Sequence, residues 1–169
     1  MKIRALNRYC RGIALFGLFA FYLLGATACA SAQAKVDPSM RNALDQQVHE
    51  LFTVTEGKNV ALLTNPTGVD AQYRHLADRL HADEDTNLVA FFAPEHGLRG
   101  DHQAGGGVDD YTDPYTGVPV YSLYGDRRAP EPEQLEGVDL LIFDIQDVGS
   151  RFYTYVWTMT MAMEAAAEN

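Results

Sequence analysis

Two carboxylates stand directly after apolar runs of the sequence, where the backbone could hold them for acid–base chemistry. Glu95 follows the run 88–92, and Asp144 ends the run 139–144. One such group could protonate a leaving oxygen, and the other could act as a nucleophile, a base or an orienting group for the substrate, as in glycoside hydrolysis. A structural alternative stays open for each. Glu95 could cap a turn or pair with Arg99, and Asp144 could cap a helix or anchor a loop.

Polar and aromatic side chains close to these carboxylates could bind a substrate. Arg151 could hold a substrate carboxylate with two hydrogen bonds, and Tyr153 and Tyr155 could line a sugar with their rings and hydroxyls. Asn65 could donate amide hydrogen bonds to a substrate, or it could only shape the turn before Pro66. The predicted substrate-binding residues are Asn65, His96, Arg99, Gln146, Arg151, Tyr153 and Tyr155.

Three other kinds of chemistry are disfavoured. The glycine triplet at residues 105–107 lacks the Lys-Ser/Thr ending of a phosphate-binding loop, which argues against a nucleotide ligand. His96, Asp101 and His102 could recruit a metal, but their spacing matches no strong zinc signature, so a metal-dependent hydrolase is the weaker alternative. A Gly-x-Ser-x-Gly nucleophile elbow does not occur in the sequence. We therefore predict neither a metal nor a cofactor.

Alternating strands and helices must position these side chains. Apolar runs bounded by turn residues predict strands over 59–64, 88–92, 118–123 and 139–144. Helical spacing predicts helices over 41–53, 73–81 and 153–168, and a glycine-rich polar loop covers 98–117. The pattern favours parallel pairing, and the predicted class is α/β with a Rossmann-like, doubly wound, mostly parallel sheet. Ligands of such sheets bind beyond the carboxyl ends of the strands, where the polar residues lie.

The last predicted helix has a second interpretation, which concerns packing. Phe152, Tyr155, Val156 and Met159 have the spacing of a face that packs on a core. Tyr155 is therefore expected to be partly structural.

The first 32 residues predict an export signal rather than a part of the fold. A cationic start is followed by the apolar run 13–24 and by small residues over 25–32, which is the order of a secretory signal peptide. The run is shorter than the about 20 residues of a membrane span. Two alternatives stay open for the exported protein. Cys29 could carry a lipid anchor, which would make the protein a lipoprotein, or the signal peptide could be cleaved at ordinary sites between Ala30 and Ala34. The predicted location is the periplasm or cell envelope.

Composition excludes several classes of protein. The 169 residues carry 13 Lys+Arg against 23 Asp+Glu, a formal charge of −10, which argues against nucleic acid as a partner. There is no repeat, and 47% hydrophobic residues suit a globular core. Cys10 and Cys29 both lie in or beside the leader, so the exported domain must fold without a disulfide. The predicted organisation is a signal peptide (1–32), a linker with an N-terminal helix (33–58) and a Rossmann-like domain (59–169).

Four segments, in this order, also carry a resemblance to a known family. They are Leu62–Gly68, Pro94–Asp101, Thr116–Gly125 and Phe143–Tyr155. Together they resemble the exo-β-N-acetylmuramidases of the NamZ (YbbC-like) family. The resemblance implies an exported glycoside hydrolase that removes N-acetylmuramic acid from the non-reducing ends of peptidoglycan fragments. It also implies that Glu95, in the Pro-Glu-His-Gly motif, is the leading catalytic candidate.

The resemblance further implies a longer protein, with a smaller C-terminal domain and the active cleft between the two domains. Family members continue beyond the last helix into a strand and an Arg-Pro-Asn-Pro motif, and a parallel sheet needs a strand after a crossover helix. We therefore expect these 169 residues to be a fragment of low activity. A non-catalytic module of the cell envelope that binds peptidoglycan or sugars is the alternative from another class.

Overall fold

The computed structural model describes residues 50–103, 105 and 109–169. The predicted signal peptide, the linker, residues 41–49 of the first predicted helix and both cysteines lie outside these ranges. Residues 50–55 are helical. Among the helices of the described ranges, none has the length and apolar character of a membrane span.

Five strands form one sheet in the order β3-β4-β2-β1-β5. They are β1 (Asn59–Thr64), β2 (Asn87–Ala93), β3 (Tyr111–Thr112), β4 (Pro119–Ser122) and β5 (Leu140–Asp144). All neighbours pair in parallel except β3, which is antiparallel to β4. The predicted α/β class with a mostly parallel sheet is confirmed. The strands β2 and β4 extend the sheet on one side of β1, and β5 then extends it on the other side. Sheets of this kind bind ligands at the carboxyl ends of the two strands where the order changes direction, here β1 and β5.

Helices cover both faces of the sheet, which explains why β1 is apolar without alternation. The helices are α1 (Leu76–His81), α2 (Pro132–Leu135) and α3 (Tyr155–Glu168). Val60 and Leu62 pack in a cluster with the buried residues of α1, whereas Ala61 and Leu63 pack in a second cluster with Ala162 of α3. A strand between two apolar layers needs hydrophobic side chains on both of its faces.

The helix predicted over 73–81 is shorter in the structure. It begins at Leu76, because His75 is the N-cap and its Nδ1 accepts the Ala77 N–H at 3.2 Å. Tyr73 instead occupies a turn with φ 58° and is 87% exposed. Two short elements, β3 and α2, were not predicted, because two or four residues are too few to show a periodic pattern.

The predicted core face of the last helix is wrong for Phe152 and Val156, whereas Tyr155 and Met159 are half-buried. Phe152 and Val156 are 90% and 47% exposed, and the buried residues of α3 are Thr158 and Ala162. The helix also begins at Tyr155, two residues later than predicted. Small side chains meet the sheet, and the large apolar ones at the start of the helix stay outside the described core.

Candidate functional site

The carboxyl end of β5 places Asp144 under the turn that follows β1. Asp144 lies opposite Thr64 in the parallel register, and the Thr64 hydroxyl donates a hydrogen bond of 2.7 Å to the Asp144 carbonyl. Among the described residues, the buried Oδ2 of Asp144 has no hydrogen-bond partner. Burial raises the pKa of the Asp144 carboxyl. A carboxyl group with a raised pKa keeps its proton to higher pH and can then donate a hydrogen bond.

Gly68 provides the room that this arrangement needs. A Cβ on Gly68 would lie 2.3 Å from Oγ1 of Thr64 and 2.9 Å from Oδ2 of Asp144. The turn is closed by a hydrogen bond of 3.1 Å from the Gly68 N–H to the Asn65 carbonyl. The absence of a side chain at this position therefore lets the turn approach the end of β5 closely.

A chain of hydrogen bonds joins this turn to the loop after β5. Oδ1 of Asn65 accepts the Thr67 N–H at 2.9 Å and the Thr67 hydroxyl at 2.6 Å. The same hydroxyl oxygen accepts the Gln146 N–H at 3.0 Å. Nε2 of His75 lies 2.9 Å from the Asn65 carbonyl. Asn65 thus shapes the turn through its side chain, and Gln146 is exposed beside it; their contacts to a substrate stay predictions.

Glu95 occupies the turn that follows β2. It is half-buried, and its Oε1 accepts the Gly105 N–H at 3.2 Å. A hydrogen bond to the Glu95 carboxylate raises the pKa of the Tyr124 hydroxyl. His96 and Gly97 both have φ 75°, so two consecutive residues adopt the left-handed conformation. For a non-glycine residue such as His96 this is strained, and strain of this kind occurs preferentially at functional sites.

Glu95 and Asp144 lie on opposite sides of the carboxyl end of β1. Both β2 and β5 pair with β1, so their backbones are about 10 Å apart at two spacings of about 4.8 Å. Carboxyl pairs of glycosidases are separated by about 5 to 9.5 Å, which side chains leaning toward β1 could reach. The sheet therefore brings the two predicted catalytic residues to one rim, although neither contacts the other.

Arg99 is engaged with two aspartates rather than with Glu95. Its guanidinium donates to Asp113 at 2.9 Å from both Nε and Nη2, and to Asp78 at 2.7 and 3.2 Å. It also stacks over Tyr115 at 4.7 Å from the ring centroid. The hydrogen bonds to Asp113 raise the pKa of Arg99 further. These contacts support a structural role, and the predicted substrate contact of Arg99 stays a prediction.

The residues predicted to bind a sugar and its carboxylate lie in the loop after β5 and at the first residue of α3. Tyr153 is 48% exposed, and its ring lies 6.0 Å from that of Tyr155. Arg151 is exposed and forms no ion pair within the described ranges, so its donors are accessible to a ligand. The loop also exposes Phe152 and, at 62%, Val148. Their roles in binding stay predictions.

The histidines that could recruit a metal are held by other contacts. Nε2 of His102 lies 3.5 Å from Asp101, and its ring contacts that of Tyr111. Nδ1 of His96 lies 3.3 Å from the His102 carbonyl. Over the ranges that the structure describes, no three His, Cys, Asp or Glu residues are grouped so as to hold a metal ion.

Comparison with known proteins decides the family. A model of the family described as "Exo-beta-N-acetylmuramidase NamZ, N-terminal" matches residues 60–169. The chain belongs to the NamZ family. The match begins in β1 and includes both Glu95 and Asp144, so the predicted resemblance is confirmed for the N-terminal part of the family.

Three known proteins are similar to this NamZ family member. The Peptidoglycan beta-N-acetylmuramidase NamZ of Bacillus subtilis (strain 168) is 46% identical over 162 residues, which cover 90% of this chain and 39% of that protein. Two crystal structures of DUF1343 family proteins from Bacteroides fragilis NCTC 9343 share the fold. The first is 49% identical with a TM-score of 0.68, and the match covers 76% of this chain and 32% of that protein. The second is 39% identical with a TM-score of 0.59, and the match covers 73% of this chain and 30% of that protein. The chain thus spans well under half the length of these relatives.

Proposed function

We propose that the full-length gene product is an exported glycoside hydrolase that releases N-acetylmuramic acid from the non-reducing ends of peptidoglycan fragments. The observation that carries the proposal is the placement of Glu95 and Asp144 at one rim, inside the segment that matches the NamZ family. The relative that is 46% identical is itself named a peptidoglycan β-N-acetylmuramidase. Muramic-acid saccharides are accordingly the proposed substrates.

Glu95 is the proposed general acid. It is half-buried, so it can reach a ligand, and the Gly105 N–H and the Tyr124 hydroxyl hold its carboxyl group in place. As the glycosidic bond breaks, Glu95 gives its proton to the leaving oxygen.

Asp144 stabilises the reacting centre or orients the 2-acetamido group of the sugar. Its buried Oδ2, without a partner in the described ranges, suits a carboxylate that accepts a hydrogen bond from the acetamido N–H and leaves the acetamido oxygen free. The acetamido oxygen can itself attack the anomeric carbon, which is an exception to the scheme with two carboxylates. Arg151, whose donors are accessible, binds the lactyl carboxylate of muramic acid.

Export to the periplasm or cell envelope belongs to the same proposal. Its support is the order of basic, apolar and small residues in the first 32 positions. A lipid anchor at Cys29 is the alternative to soluble export. Mass spectrometry of the protein isolated from its source would distinguish a cleaved, soluble N-terminus from a lipidated cysteine.

Low activity of the 169-residue chain by itself is also proposed. The support is its share of the relatives, 39% of the B. subtilis protein, because a cleft between two domains needs both walls. Robust turnover by the 169-residue chain would contradict this part of the proposal.

The assay for the whole proposal is release of muramic acid from a chromogenic muramide and from peptidoglycan fragments. Glu95→Gln should lower kcat by about 10²- to 10⁴-fold, since it removes a general acid and keeps the size of the side chain. Glu84→Gln is the matched control, because Glu84 is exposed and precedes β2, at the end of the strand opposite Glu95. Full activity of Glu95→Gln would contradict the assignment.

The two alternatives give different results in the same assay. A sugar-binding module would bind muramic-acid saccharides without releasing sugar. A metal-dependent hydrolase would lose activity on thorough chelation, whereas the proposed mechanism predicts unchanged turnover.

A further inference from the structure

We propose that His96 binds the substrate as a neutral imidazole whose unprotonated Nε2 accepts a hydrogen bond from a hydroxyl group of the sugar held at Glu95. This inference rests on the proposed function and assigns a specific atom to the recognition of that sugar. The evidence is the way in which the backbone of the loop 96–102 holds the ring.

The position of Nδ1 determines which nitrogen carries the proton. Nδ1 of His96 lies 3.3 Å from the backbone carbonyl oxygen of His102. A carbonyl oxygen can only accept a hydrogen bond, so Nδ1 must carry the hydrogen. In a neutral imidazole the other nitrogen, Nε2, is then an acceptor.

The backbone fixes the ring before any ligand binds. The His102 N–H donates to the His96 carbonyl at 3.4 Å, so residues 96 and 102 are joined by two contacts. His96 has φ 75°, a conformation that L side chains rarely adopt. Gly97 follows, and a Cβ there would lie 2.6 Å from Cδ2 of His102. The backbone of Gly97 therefore lies against the His102 ring.

Neighbouring charges favour His102, rather than His96, as the partner of a carboxylate. Nε2 of His102 lies 3.5 Å from Asp101, whereas His96 forms no ion pair within the described ranges. His96 is half-buried and directly follows Glu95 in the turn after β2. An acceptor at this position suits a hydroxyl donor of a sugar.

Nitrogen NMR of the 169-residue chain tests the tautomer without an activity measurement. The spectrum of the ¹⁵N-labelled imidazoles should show a protonated Nδ1 and an unprotonated Nε2 for His96. The His96→Asn variant assigns the signals by their disappearance. A proton on Nε2 of the neutral ring would overturn the proposal.

The kinetic test uses the same variant of the full-length gene product. Asparagine tolerates the left-handed conformation, and its amide N–H can replace Nδ1–H toward the His102 carbonyl, but it has no atom in place of Nε2. We expect kcat/KM to fall about 10- to 100-fold, with an unchanged melting temperature. His81→Asn is the matched control, because His81 is an exposed histidine at the end of α1.

Muramides that lack one hydroxyl group identify the donor. Wild-type protein should lose a similar factor on one deoxy substrate, and His96→Asn should not discriminate between that substrate and its parent. Full activity of His96→Asn, or undiminished discrimination by it against every deoxy substrate, would overturn the proposal. A wild-type protein that releases no muramic acid would instead overturn the proposed function, and the nitrogen spectrum would still decide the tautomer.

Discussion

Replacement of Gly68 by alanine tests the close approach between the turn after β1 and the end of β5. The new Cβ would lie 2.3 Å from Oγ1 of Thr64, 2.9 Å from Oδ2 of Asp144 and 3.1 Å from the Asp144 carbonyl oxygen. Ordinary van der Waals contacts of such a Cβ begin at 3.4 Å, so the Thr64 hydroxyl must retreat by roughly 1 Å. The carboxyl group of Asp144 must shift as well.

The expected cost combines two effects. Overpacking typically costs about 1–3 kcal/mol. Movement of the Thr64 hydroxyl also breaks its hydrogen bond of 2.7 Å to the Asp144 carbonyl, which adds about 0.5–1.5 kcal/mol. We therefore expect Gly68→Ala to lower the free energy of unfolding by about 2–4 kcal/mol, and Tm by on the order of 10 °C.

Urea unfolding and thermal unfolding of the 169-residue chain measure this cost. The control is Gly57→Ala, because a Cβ on Gly57 would contact nothing within 4 Å and would be strained only by φ 68°. Its cost should be about 1–2 kcal/mol. Thr64→Ala removes the hydroxyl that clashes, so Gly68→Ala combined with Thr64→Ala should cost less than the sum of the two single changes.

Two results would refute the reasoning about Gly68. A loss below about 1 kcal/mol in Gly68→Ala would show that the turn can relax away from β5. Strict additivity in the double variant would show that the cost does not arise at Thr64. In the proposed enzyme, Gly68→Ala should also lower kcat, because it displaces the carboxyl group of Asp144.

Three further predictions concern ionisable and polar groups. The folded-state pKa of Asp144 is raised by burial, so the contribution of this group to stability is largest below the ordinary value of 3.8 and falls as the pH rises through the raised value. In urea titrations, Asp144→Asn should therefore gain stability relative to wild type as the pH rises from about 4 to 7, and a constant difference would contradict the burial effect. Asp113→Ala should lower the free energy of unfolding by about 2–3 kcal/mol, somewhat less than the cost of breaking a fully buried pair, because the Arg99 side chain is 20% exposed; an effect below 0.5 kcal/mol in urea unfolding would contradict the structural role of this pair. Thr67→Val removes the hydroxyl that bridges to Gln146 and should cost about 1 kcal/mol and speed amide exchange at Gln146, whereas unchanged exchange would show that the loop does not depend on the bridge.

Local sequence patterns were sufficient for the parallel strands. The run 59–64 is apolar at nearly every position and ends in Asn-Pro-Thr-Gly, which predicts a strand buried on both faces and a turn. The strand forms over Asn59–Thr64, with one apolar cluster on each side. The rule for the carboxyl ends of parallel strands then placed Glu95 and Asp144 at one rim correctly.

Contacts between loops were not predictable in the same way. Arg99 and Asp113 are fourteen positions apart in a polar loop, and the sequence offered Glu95 as an equally reasonable partner. The prediction of a core face for the last helix was wrong at Phe152 for a related reason. Phe152 and Tyr155 have helical spacing, but Phe152 precedes the helix and is exposed. Helical spacing of apolar residues predicts a packing face only for residues that lie within the helix.

The sequence by itself determined the class of the fold, the family and the identity of the two candidate carboxylates. These follow from periodicity, turn residues and ordered motifs, which are properties of neighbouring residues. The tertiary structure decided which groups meet: the fit of Gly68 against Asp144, the pairing of Arg99 with Asp78 and Asp113, and the contact of the His96 ring with the His102 carbonyl. These depend on distances of 2 to 4 Å between residues far apart in the chain or in irregular loops. Such distances are set by the packing of the whole sheet rather than by any local pattern.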